Sequence, residues 1–168
     1  MKMKALVIAG FIFFCMTFEA MSLPIGLGAQ LNYHAGGVFA PGASLLISLN
    51  DKTHAALNWY VDTKSDDEDN IFGISVDRII LSPRLFGTDA VSFNATFGAG
   101  GYLNIVFGDD LDFSGGVRVP LGFNLYLGHS VFELFVSVAP SFGVRFLPSL
   151  GLSSPFFPVA LGGRFWFR

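Results

Sequence analysis

From residue 113 to 125 the chain alternates strictly. Phe113, Val117, Val119, Leu121, Phe123 and Leu125 hold the odd positions together with Gly115; Ser114, Gly116, Arg118, Pro120, Gly122 and Asn124 hold the even ones. A period of two describes a β-strand that shows a different surface to each side. This stretch is long enough to cross a bilayer, which takes about 9–11 tilted residues.

Seven further segments repeat the pattern. Residues 25–34 set Leu27, Leu31 and Tyr33 against Gly28, Gln30 and Asn32. Residues 42–49 and 54–62 do the same with Leu45 and Ile47, then Leu57 and Trp59. Residues 71–81 mark one face with Phe72, Ile74 and Val76, and residues 90–106 with Phe93, Phe97, Leu103 and Ile105. Residues 131–146 carry Phe132, Leu134, Val136 and Phe142 opposite Glu133, Ser137, Ser141 and Arg145. The last segment sets Val159, Leu161, Phe165 and Phe167 against Ala160, Gly162, Arg164 and Trp166. Between them, 50–53, 82–89 and 127–130 are mostly shorter turns, while 35–40, 62–70, 107–112 and 147–157 are mostly polar or long. Pro120 and Pro140 fall inside segments, where the missing donor predicts local bulges.

Eight segments with this rhythm predict an all-β fold: an antiparallel up-and-down transmembrane β-barrel spanning 23–168, with apolar side chains toward lipid, both ends in the periplasm and long loops outside. Composition agrees. The chain is 52% hydrophobic and 14% charged, against roughly 25% charged in soluble domains, yet no apolar run reaches the roughly 18 residues of a membrane helix. A soluble lipocalin-like barrel would turn its apolar residues inward and carry lysines on its wet face, and no lysine follows Lys64.

Residues 1–22 read as a cleavable signal peptide: Lys2 and Lys4, an apolar core, then Ala20-Met21-Ser22 as a small-x-small site. Cys15 lies in this leader and the rest of the chain has no cysteine, so no disulfide framework exists. Export by the general secretory pathway to the outer membrane follows. The net charge of −3 and the lack of a basic patch argue against nucleic acid.

The motifs Arg118-Val119-Pro120-Leu121-Gly122, then Phe135-Val136-Ser137-Val138-Ala139-Pro140-Ser141-Phe142-Gly143, and a closing Gly162-Gly163-Arg164-Phe165-Trp166-Phe167-Arg168 resemble those of an uncharacterised family of small exported bacterial barrels. The chain as a whole resembles the small eight-stranded outer-membrane proteins, a group that includes the OmpA transmembrane domain, OmpX and OmpW. The resemblance implies a monomer surrounded by outer-membrane lipids and folded by the barrel-assembly machinery, which commonly reads a terminal aromatic residue; here Arg168 follows Phe167.

Five charged residues fall on the predicted inward face: Asp77, Arg118, Glu133, Arg145 and Arg164. An eight-stranded barrel is only wide enough for side chains to fill, so these should pair into a network that plugs the interior, with Glu133 and Arg164 the pair best placed to touch. A gated ion path through them is the sharper alternative. His129, Ser130 and Glu133 invite comparison with lipid A-modifying outer-membrane enzymes, but His129 and Ser130 fall in a predicted periplasmic turn, away from an outer-leaflet substrate. His34 and His54 lack metal-ligand spacing. Asp62, Asp66, Asp67, Glu68 and Asp69 lack the spacing of a calcium loop; with Asp109, Asp110 and Asp112 they form acidic loops that could meet an extracellular ligand. Trp59, Tyr60, Tyr102, Tyr126 and Trp166 lie near predicted strand ends and suggest interfacial girdles. The expectation is a structural or surface-interaction protein without catalysis, cofactor or metal, with an OmpW-like conduit for small or hydrophobic molecules as the rival.

Overall fold

The computed structural model describes residues 24–35, 40–61, 70–107 and 111–167. The signal peptide at 1–22, the acidic stretch from Asp62 to Asp69, and Asp109 and Asp110 lie outside the described residues. The described residues form one all-β antiparallel sheet of eleven strands. They are β1 (Ile25–Ala35), β2 (Ala40–Asn50), β3 (Thr53–Val61), β4 (Asn70–Leu81), β5 (Arg84–Gly87), β6 (Val91–Phe107), β7 (Asp112–Arg118), β8 (Leu121–Leu127), β9 (Phe132–Val138), β10 (Ser141–Leu147) and β11 (Gly151–Phe167).

Neighbouring strands pair antiparallel in the order β1-β2-β3-β4-β6-β7-β10-β11-β9-β8, with β8 also on β6 and β5 on β6, and the last meets the first: β11 pairs with β1 over eleven positions, from Ile25 opposite Phe167 to Ala35 opposite Phe157. A path along paired residues from Leu103 runs through Ile74, Leu57, Leu45, Ala29, Gly163, Leu134 and Leu125. It returns to β6 at Phe93, ten residues before its start. This offset is the stagger a sheet needs to close on itself with tilted strands, and closure leaves the main ladder without an open edge.

Eleven strands stand where the alternation predicts eight, and the difference lies at three breaks. Pro120 interrupts the sixth segment and Pro140 the seventh, and after Pro83, within the stretch 82–89 predicted as a turn, the short strand β5 forms. The facing pattern continues across them. Val117, Leu121 and Phe123 remain exposed, while Asn124 beyond Pro120 stays buried. The prolines cannot donate, but their carbonyls accept in sequence across the wall: Gly98 N–H to Pro120 at 2.8 Å, Val119 N–H to Pro140 at 2.9 Å and Ala139 N–H to Pro158 at 2.9 Å. The stretch 147–157, predicted as loop, is also corrected: β11 begins at Gly151, and Pro155 sits where the β10–β11 register skips between Ser153 and Phe156. The β2–β3 turn is the short polar one expected, with Asn50 Oδ1 accepting from the N–H groups of Lys52 and Thr53, both at 2.8 Å.

The wall carries the bulky apolar side chains outward. Leu45 is 65% and Leu57 53% exposed, and Ile74, Leu103, Phe123, Val136 and Phe165 are comparable. Soluble monomers rarely expose contiguous apolar patches beyond a few hundred Å²; here the patch encircles the molecule. Phenylalanines gather near both rims. Trp59, Phe72 and Phe107 form one run, with centroids 6.4 and 5.8 Å apart. At the other end Phe86, Phe93 and Phe123 form another, at 4.8 and 5.5 Å. Of the predicted girdle residues only Trp59 is well exposed. Tyr60, Tyr102 and Trp166 are buried inside, because each neighbours an outward residue and a period of two turns it inward.

Candidate functional site: the filled interior

The interior is built in layers. Near the end that holds Asp112 and the β10–β11 hairpin, the rings of His34, Tyr60, Tyr102 and Phe156 close the bore. His34 lies 5.4 Å from Tyr60 and 4.2 Å from Phe156, and Tyr102 lies 4.9 Å from Phe156. A polar rung follows: Asn32 Nδ2 donates to Ser44 Oγ, Ser44 Oγ to Asn58 Oδ1 at 2.7 Å, and Asn58 Nδ2 to Ser75 Oγ at 3.3 Å. Leu46, Ala56 and Phe135 then form a buried apolar cluster, which the sequence reading did not single out. Leu46 and Phe135 sit on the inward parity of their strands, and that parity is the signal that could have found them.

Below this layer lies the ion pair of Glu133 and Arg164. The two stand opposite each other in the β9–β11 ladder, both inward, with Arg164 Nε 3.3 Å from Glu133 Oε2 and Nη2 3.3 Å from Oε1. Glu133 is fully buried and Arg164 5% exposed. Removing such charges from water costs several kcal/mol per ion unless their hydrogen-bonding capacity is met. It is met here. Trp166 Nε1 donates to Glu133 Oε2 at 2.8 Å and Asn124 Nδ2 to Oε1. Arg164 Nη1 donates to Ser48 Oγ at 2.8 Å and lies 2.6 Å from His54 Nδ1. The Phe135 ring lies under the guanidinium, 4.7 Å from its carbon, a cation–π placement that satisfies the face no hydrogen bond can reach.

The five predicted charges do not form one network; they separate into pairs. Asp77 Oδ1 lies 3.1 Å from Arg118 Nε. Their strands, β4 and β7, are not neighbours but flank β6, where both residues stand opposite Gly100. With no side chain at Gly100, the two reach each other across it. A Cβ there would lie 2.1 Å from Asp77 Oδ1 and 2.4 Å from the Val76 carbonyl oxygen. Arg145 is the correction. It sits at the mouth, its side chain 43% exposed, 3.7 Å from Asp112, a residue the sequence reading assigned to an acidic loop. The β7–β10 register opposes Arg145 to Ser114, at the very start of β7, so it is too near the rim to join the inner charges.

Two cavities lie in the interior among the described residues. A chamber of about 60 Å³ lies among Asp77, Arg118, His54, Asn124 and Arg164, and a cup of about 270 Å³ opens at the mouth around His34, Asn104, Asp112, Arg145 and Phe156. They share no lining residue. His129 and Ser130 lie in the β8–β9 turn with Gly128, at φ of 57°, 65° and 60°, while the carboxylate oxygens of Glu133 are taken by interior donors. Among the described residues no cluster of three or more His, Cys, Asp or Glu is placed to hold a metal ion.

No protein-family model and no curated protein matches the chain. Among solved structures it is similar to the N-terminal β-barrel domain of Pseudomonas aeruginosa OprF, at 17% identity over 84% of this chain and 97% of that one, with a TM-score of 0.47. It is similar to Ail, the attachment invasion locus protein of Yersinia pestis, at 12% identity over 88% and 100% of the two chains and a TM-score of 0.45. It is also similar to Neisserial surface protein A, at 12% identity over 86% and 96%, with a TM-score of 0.45. On its own residues, with an apolar wall closed around a polar and filled interior, the chain is a β-barrel of the outer-membrane type.

Proposed function

We propose that the eleven strands act as eight membrane crossings, with β4–β5, β7–β8 and β9–β10 each serving as one interrupted crossing, and that residues 1–22 are removed on export. The protein is then a monomeric outer-membrane barrel with a closed interior, in contact with membrane lipid and folded by the barrel-assembly machinery. Its role is structural or surface-interacting rather than catalytic. The end of the barrel away from Ile25 and Phe167, which bears Asp112, faces outward and offers a surface to an extracellular ligand.

The observation that carries this reading is the buried Glu133–Arg164 pair, which fills the bore with two charges that neutralise each other and are held by Asn124, Ser48 and Trp166. A conduit would need one continuous path, and the ring layer of His34, Tyr60, Tyr102 and Phe156 lies between the two cavities. Detergent-extracted protein should migrate as a heat-modifiable band and add no steady conductance to a planar bilayer. A wild-type conductance that vanishes in Glu133→Gln would replace this reading with the conduit.

A further inference from the structure

The cup at the mouth is not explained by a plugged barrel. Phe156 lies at its base, Ile71 and Val106 line its wall beside Asp112 near the rim, and Asn104, Ser114, Ser153 and Ser154 complete the lining with the Arg145–Asp112 pair. That pair is loose at 3.7 Å, and both side chains are partly exposed, at 43% and 32%. The interior pairs are closer and more buried. A donor-rich guanidinium and an acceptor carboxylate therefore stand side by side with capacity left over, above an apolar base, in a space of about 270 Å³. Small-molecule sites combine these features: a largely apolar concavity with a few placed polar groups, typically of about 300–1,000 Å³.

Charge narrows the ligand class. Arg145 disfavours a cation inside the cup, and Asp112 disfavours an anion. An uncharged ligand whose groups both donate and accept suits the lining, and an apolar face suits the floor. The volume holds one ring rather than a chain of them.

We propose that the mouth cup binds a single uncharged sugar ring, its hydroxyls shared between Asp112, Arg145 and Asn104, and its less polar face toward Phe156. This deepens the surface-interaction role above and rests on that end facing outward.

The test uses the full chain extracted in detergent, titrated by saturation-transfer NMR and calorimetry with methyl glucoside, methyl galactoside and N-acetylglucosamine. Glucuronate and glucosamine serve as charged counterparts. At least one neutral sugar should bind saturably at ~1–10 mM, with Asp112→Asn and Arg145→Ala each weakening it about tenfold, one factor of ten being about 1.4 kcal/mol. Ser153→Trp, which fills the cup, should abolish binding, and Arg84→Ala at the other end should leave it unchanged. The proposal is overturned if no neutral sugar binds, if the charged sugars bind as tightly, or if the cup variants bind like the wild type. Heat-modifiable migration is recorded alongside: binding lost with migration intact condemns the sugar site alone, whereas wild-type protein without such migration condemns the barrel reading.

Discussion

Glu133 and Arg164 occupy opposing positions in one ladder and meet through two nitrogen–oxygen contacts of 3.3 Å. Glu133→Gln leaves a buried guanidinium without its counter-charge, for which breaking a buried pair predicts a loss of about 3–5 kcal/mol. Arg145→Ala removes a pair open to solvent and should cost under about 1 kcal/mol. Urea midpoints of both variants, followed by loss of the heat-modifiable band in lipid vesicles, measure the difference.

Phe135 is the large apolar group among the interior charges, packed on Leu46 and Ala56 and beneath Arg164. Phe135→Ala opens a cavity and strips the guanidinium of its ring, a change worth about 3–5 kcal/mol. Phe135→Leu keeps most of the volume and should lose less than half of that. Equal losses for the two variants would mean that the ring itself, and not the space it fills, carries the effect.

Gly100 is the position over which Asp77 and Arg118 meet. Gly100→Ala places a methyl 2.1 Å from the carboxylate oxygen and 2.4 Å from the backbone of Val76. The side chain can turn away, but the backbone of a paired strand cannot. The variant should fold poorly, with a reduced heat-modifiable fraction, and Asp77→Ala in the same chain should recover only part of it. Full recovery would assign the whole effect to the ion pair.

Leu57 lies midway along the wall and Phe107 at its rim, both about half exposed. In a bilayer, Leu57→Arg places a charge at depth, costing about 2–4 kcal/mol, while Phe107→Arg near the interface costs about 0–1 kcal/mol. Equilibrium unfolding from vesicles distinguishes them. Equal costs at the two depths would show that the wall does not face lipid.

The alternation at 113–125 already reads as a barrel wall, since each strand of a barrel meets only two environments and neighbouring residues must divide between them. That is why Phe123, Val136 and Phe165 point outward and Arg118, Glu133 and Arg164 inward, as their parity predicts. Residue type misled where parity did not: Tyr60 and Tyr102 look like interfacial residues by type, and lie inside as their parity predicts.

Partnership was a different matter. Glu133 and Arg164 come from successive segments at similar depth, so their meeting could be anticipated. Asp77 and Arg118 come from strands separated by β6, and only the stagger of the closed sheet brings both opposite a glycine. Arg145 shares its parity with the interior charges yet ends at the mouth beside Asp112. Local pattern settles which face a side chain occupies, because that depends on its own strand. Height along the bore depends on the register of every ladder between two residues, and that sum exists only once the sheet has closed.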